Sequence, residues 1–72
     1  MIFTEHQKEV MKHTVSDSKR NWFGTSYNNE DSDAFEELIK YGYATKSKPA
    51  SWMGDEVLYH LTDKGKDAVK LF

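Results

Sequence analysis

The chain contains no cysteine. Disulfide staples and thiolate metal sites are therefore excluded, and the absence fits a reducing compartment. No apolar run approaches the roughly 20 residues that a membrane span needs, so no membrane partner is expected. Basic residues are not in excess: the formal charge is −2. Phosphate neutralisation supplies most sequence-independent DNA affinity, so this balance weighs against it. The stretch Met1-Ile2-Phe3-Thr4-Glu5 lacks the basic and apolar regions of a signal peptide. The expectation is a cytoplasmic protein. Only one proline is present, Pro49. It cannot donate to a ladder and belongs at a tip or a sheet edge.

Aromatic residues are plentiful. Two tryptophans, four phenylalanines and four tyrosines stand in 72 residues. A chain this short makes a single domain, residues 1–72. It buries only about 60% of the surface its unfolded form exposes, so large rings are needed to close a core.

The clearest organisation runs from Ala34 to Leu61. Phe35, Leu38 and Ile39 recur at helical spacing. Gly42 follows at once, where a helix commonly ends in a positive-φ residue. Tyr43-Ala44-Thr45-Lys46 suits a strand, and Glu56-Val57-Leu58-Tyr59-His60-Leu61 alternates like a second one. Between them, residues 48–55 form a turn region. Upstream, Thr4 and Gln7 fit a capping box that opens a helix over about Glu5 to Val15. Its narrow apolar stripe is Val10, Met11 and Val15. Asp31, Ser32 or Asp33 can cap the next helix, with Asp33 and Glu36 as its capping box, ending near Lys40 or Tyr41. Thr62 caps a third helix from Asp63 to about Leu71. Gly65, Ala68, Val69 and Phe72 mark its inner face, and Gly65 implies close packing against another element.

Residues 16–31 show no helical period and are dense in Ser, Asp, Asn and Gly, which favour turns. Within them, Arg20 to Thr25 can form a short strand paired with the hairpin. Trp22, Phe23 and Tyr27 can pin this long connection to the core. The expected fold is α+β: helix, long loop, helix, β-hairpin, helix. Phe35, Leu38, Ile39, Tyr59, Leu61 and Val69 should pack beneath the hairpin, because periods of 3.6 and 2 turn them inward.

This order resembles a small winged-helix domain. Glu37-Leu38-Ile39-Lys40-Tyr41-Gly42-Tyr43-Ala44 is similar to a recognition helix entering the wing. Tyr59-His60-Leu61-Thr62-Asp63-Lys64-Gly65-Lys66 is similar to the wing exit of MarR-type regulators, which carry a Leu-Thr-x-x-Gly like Leu61-Thr62-x-x-Gly65. Together these stretches bracket a little under half the chain. The segment Arg20-Asn21-Trp22-Phe23 resembles one in small phage and prophage proteins of unknown function, between a first helix and a Leu-rich second helix. That resemblance implies a phage or prophage source and no activity. A helix-turn-helix needs two helices joined by a turn of three to four residues. Here the long polar loop precedes the second helix. A protein-interaction module is therefore expected ahead of a DNA-binding accessory protein that uses the wing.

Candidate surfaces follow from residue type. Trp52 and Met53 at the hairpin tip, with Arg20 and Trp22, form the expected partner surface, since Trp and Arg dominate interaction hot spots and Met adapts to varied surfaces. The ordinary alternative is that Trp52 folds back over the core. The occupant is an unknown protein partner or a second copy of the chain. Lys19, Arg20, Lys46 and Lys48 form the basic patch a nucleic acid would use. Their ordinary role is a solvated surface, and Arg20 can instead lie over a ring. Glu30, Asp31, Asp33, Glu36 and Glu37 place five acids within eight residues. Acids favour helix amino termini, and here they oppose entry of that helix into a DNA groove.

Catalysis and cofactors are not expected. No phosphate loop, nucleophile elbow or paired acid and base appears. His6 and His13 are seven residues apart, about 10.5 Å along a helix, which is too far for one metal ion. His60 reads as a half-exposed sheet residue.

Overall fold

A computed structural model of the chain describes residues 2–16, 20–26, 29–47 and 56–72. The elements run α1 (Glu5–Thr14), β1 (Phe23–Ser26), α2 (Glu30–Lys40), β2 (Ala44–Ser47), β3 (Glu56–Leu61) and α3 (Asp63–Val69). The fold is α+β, with three helices against one face of an antiparallel three-stranded sheet of order β1-β3-β2.

Each helix begins where a side chain takes over an orphan N–H. Thr4 and Gln7 form the expected reciprocal capping box, at 3.0 Å and 2.9 Å. The box of α2 lies further upstream than Asp31, Ser32 or Asp33. Asn29 Oδ1 accepts the Ser32 N–H at 2.8 Å, and the Ser32 hydroxyl reaches back to Asn29. Asn29 wins because its backbone is extended, as a cap requires, and the short Ser32 side chain fits the buried N3 position. Thr62 caps α3 through the Gly65 N–H, and that helix stops at Val69, two residues before the expected end.

Helix α2 ends in a Schellman motif. Gly42 has φ 83°, its N–H donates to Ile39 O, and the Tyr43 N–H donates to Leu38 O at 2.9 Å. This turns the chain straight into β2. Residues 48–55, which include the expected hairpin turn, lie outside the described residues.

β1 overlaps the expected strand Arg20 to Thr25 but starts at Phe23 and runs to Ser26, since Asn21 meets β3 through its side chain. Phe23 pairs with Tyr59 and Ser26 with Glu56. On the other side of β3, Ala44 pairs with Leu61 and Ser47 with Leu58. Alternation then sorts the side chains. Val57, Tyr59 and Leu61 face the helices and are buried; Glu56, Leu58 and His60 face away.

The core joins Val10 and Met11 of α1, Phe35 and Leu38 of α2, and Ala68 of α3 to that inner sheet face. Of the six expected core residues, Phe35, Leu38, Tyr59 and Leu61 are buried, while Ile39 and Val69 pack at its edge. Phe35 stacks on Tyr59 with centroids 4.6 Å apart, and Phe23 leans on Phe35 at 5.2 Å. Two polar residues join the α1 stripe: Gln7, held by its cap, and Thr14, whose hydroxyl donates to Val10 O at 2.6 Å. A second aromatic group closes the ends of the chain. Phe3 meets Tyr43 and Phe72 edge-on, at 4.9 and 5.3 Å. Gly65 permits α3 to approach the backbone of Tyr43: a Cβ there would overlap the Tyr43 carbonyl oxygen.

Candidate functional site

The segment Arg20-Asn21-Trp22-Phe23 has a separate task for each residue. Asn21 acts as a rung of the sheet. Its Nδ2 donates to Leu61 O at 3.1 Å and its Oδ1 accepts the Leu61 N–H at 2.9 Å. A side-chain amide here takes both hydrogen bonds that a backbone neighbour would take. The His60 ring bonds the same residue, Nδ1 lying 2.6 Å from Asn21 O. A carbonyl only accepts, so the proton sits on Nδ1. In the neutral ring Nε2 then accepts from the Ser47 hydroxyl at 3.2 Å.

That clasp fixes the two residues beside it. Phe23 turns inward onto Phe35. Trp22 turns outward, with its ring 4.0 Å from where a Gly24 Cβ would stand. The Arg20 guanidinium lies over the indole, 4.4 Å from its centroid, and Arg20 Nε donates to Trp22 O at 3.2 Å. Stacked in this way, Trp22 remains 50% exposed.

These groups share the outer face of the sheet. Its register positions are Gly24 and Ser26 on β1, Glu56, Leu58 and His60 on β3, and Thr45 and Ser47 on β2. The three helices bury their apolar sides on the opposite face, and none of the described elements covers this one. Leu58, out of phase with the inward residues of β3, is only half buried.

Ser47, His60 and a carbonyl stand in the order of nucleophile, base and orienting group. They lie on an open face and not in a water-excluded site, where preorganised dipoles gain their strength. The bonds to Asn21 make His60 a structural latch between β3 and the approach to β1.

The expected basic patch is not assembled by the described residues. β1 and β2 flank β3 on opposite sides, so Arg20 and Lys46 belong to opposite edges. Lys46 shares the register position of inward-facing Tyr59, and its Nζ reaches Glu36 of α2 at 2.9 Å. The Tyr59 hydroxyl donates to the same carboxylate at 3.0 Å. A buried phenol needs an acceptor, and the carboxylate that supplies it draws in the lysine. Lys19, Lys48, Trp52 and Met53 lie outside the described residues. Arg20 and Trp22, the other two residues of the expected partner surface, do stand together.

A groove of about 280 Å³ runs between α1, α2 and β1, lined by His6, Glu9, Val10, His13, Phe23 and Asp31. His6 Nε2 lies 2.8 Å from Asp31 Oδ1. The contact lacks hydrogen-bond alignment, since that nitrogen is buried without an aligned partner among the described residues. It ties α1 to α2. Among the described residues no three His, Asp or Glu side chains converge as metal ligands, and no described helix is long and apolar enough to cross a membrane.

Sequence reasoning missed Asn21 as a ladder mimic and His60 as its latch. No motif announces a side chain that substitutes for backbone. The signal for Leu58 was present: an apolar residue at the outward phase of an alternating strand.

No family model, curated protein or solved structure matches the chain.

Proposed function

We propose that this chain is a small protein-interaction module of phage or prophage type, winged-helix-like in architecture, cytoplasmic and without catalytic activity. It docks a protein partner on the outer face of its sheet, with Trp22 and Arg20 as anchors. The observation that carries this reading is the held, half-exposed indole of Trp22 on a face no described element covers. Trp and Arg are the residue types that dominate interface energetics. Anchoring by Asn21 and His60 removes ordering entropy that a loose side chain would lose on binding.

The winged-helix-like reading is supported by α2 running through its glycine stop into the β2–β3 pair, and by Gly65 in the α3 that follows. The competing reading is DNA binding through the hairpin. Against it stand the engagement of Lys46 by Glu36 and the acids of α2.

The test has two arms. Wild-type protein and a Trp22→Ser variant are used as bait in the producing cell, with captured proteins identified by mass. Duplex DNA is titrated at two salt concentrations. A protein retained by the wild type and lost by the folded variant supports the reading. Tight, sequence-selective duplex binding near physiological salt overturns it.

A further inference from the structure

We infer that the outer sheet face receives a single extended acidic segment of a partner chain, neither a folded domain nor a second copy. This deepens the interaction reading and rests on it.

The size of the face carries the first step. It is three strands wide, and its strands are four to six residues long. At about 4.8 Å between strands and about 3.3 Å per residue, it covers roughly 200–300 Å². A stable pair of globular partners buries about 800 Å² on each side. The described strands of the face are therefore several-fold too small for a domain or a second copy to use alone. An extended segment of about six residues, roughly 20 Å long, matches them.

Charge carries the second step. β1 runs antiparallel to β3, so Arg20 lies at the Leu61 end of the face, near His60. Glu56 is the one acid at the described register positions of this face, and it lies at the far end of β3. The helical side is different: α2 alone carries Glu30, Asp31, Asp33, Glu36 and Glu37. An acidic segment is thus repelled from α2, while Arg20 offers it a cation at the sheet. Among the described residues, Arg20 makes no ion pair. Its Nε is bonded to Trp22 O, which leaves the two terminal amino groups to grip a carboxylate.

Apolar surface carries the third step. Trp22 and Leu58 flank Gly24, where a missing side chain leaves a shallow seat. One aromatic or aliphatic side chain of the segment covers both. Ser26 on β1 and, across β3, Thr45 and Ser47 add polar positions to the same face. The segment therefore needs a carboxylate at one end and a large apolar side chain two residues away, on the same side.

The experiment is an amide chemical-shift titration of the isotopically labelled full chain. The probes are a capped hexapeptide with glutamate at its first and fifth positions, phenylalanine at its third and serine at the others, its lysine-for-glutamate counterpart, and oligo-thymidylate. Sedimentation reports self-association. The inference expects shifts from the glutamate peptide on residues 20–26 and 56–60, fading with salt, and affinity falling about tenfold in Arg20→Glu. The lysine peptide should bind at least tenfold more weakly. Trp22→Ser should also lose binding; should that variant not fold, Arg20→Glu carries the test by itself. Equal binding of the two peptides overturns the inference, as do shifts confined to the helices or no shift at millimolar glutamate peptide. A dimer abolished by Arg20→Glu overturns it too, while leaving the interaction reading intact. Oligo-thymidylate shifting the sheet face in place of the glutamate peptide overturns both.

Discussion

Gly65→Ala is a severe test of how α3 meets the rest of the fold. On helix propensity alone, the substitution stabilises by about 1 kcal/mol. The structure reverses that sign. A Cβ at position 65 overlaps the Tyr43 carbonyl oxygen, and it stands 3.1 Å from the carbonyl carbon and 3.2 Å from Leu61 Cβ. Two of these three neighbours are backbone, which cannot swing aside as a side-chain end can. The same carbonyl accepts the Thr62 N–H at 3.0 Å. Relief requires α3 to move away from Tyr43, which weakens that bond. Overpacking costs about 1–3 kcal/mol and the weakened hydrogen bond about 1 kcal/mol. Set against the propensity gain, the net loss is about 1–3 kcal/mol. For a domain of this size each kcal/mol moves the melting temperature by about 4–8 °C, so Tm should fall by roughly 5–20 °C. Thermal and urea unfolding followed by circular dichroism measure it. Lys66→Ala, at the exposed neighbouring position, is the control and should change little. A Gly65→Ala protein as stable as the wild type, or more so, would refute the close approach of α3 to Tyr43.

Three further substitutions probe other joints. Leu38→Ala removes a fully buried side chain and should cost about 2–5 kcal/mol, lowering Tm by well over 5 °C in the same assay. Asn21→Ala deprives both the N–H and the C=O of Leu61 of their partners. It should cost about 1–3 kcal/mol and speed amide exchange at Leu61, and unchanged exchange there would contradict the clasp. Asn29→Ala should cost about 1 kcal/mol as the loss of a cap, whereas Asp33→Ala at an exposed first-turn position should cost a few tenths. The reverse order would restore Asp33 as the start of α2.

The legible parts of the fold were those where local chemistry acts alone. Thr4 with Gln7, Gly42 after Ile39, and Thr62 before Asp63 each announce a helix end, because capping needs only three or four consecutive residues. The strand Glu56–Leu61 was legible through its period of two. The start of α2 was misplaced because Asn29, Asp31, Ser32 and Asp33 are all competent caps. What selects among them is the backbone conformation at Asn29 and the burial of Ser32, and both are tertiary facts. The site was half legible. Trp22 and Arg20 stood out as residue types, and the stacking of Arg20 on a ring was among the alternatives. Asn21 was not legible, because its partner, Leu61, lies 40 positions away. The contact of Lys46 with Glu36 was not legible for a similar reason. Its register with Tyr59, which turns it toward α2, depends on a strand partner more than ten positions away.

That last placement links the core to the choice of partner. Burying Tyr59 removes its ring from water but obliges its hydroxyl to find an acceptor. Glu36 is within reach because α2 crosses the same side of the sheet. Its carboxylate then holds Lys46, with Nζ at 2.9 and 3.2 Å from the two oxygens. A phosphate arriving at this edge must compete with a carboxylate already in place, and it meets Glu30, Asp33 and Glu37 on the same helix. Exposed charges are screened within about 8–10 Å in ordinary salt, so Arg20 on the far edge of the sheet gives it little help. The residues that close the core thus set Lys46 of β2 against the protein's own acid. Of the two described cations at the sheet edges, the one without an ion pair is Arg20 at the β1 edge, already stacked on the half-exposed Trp22.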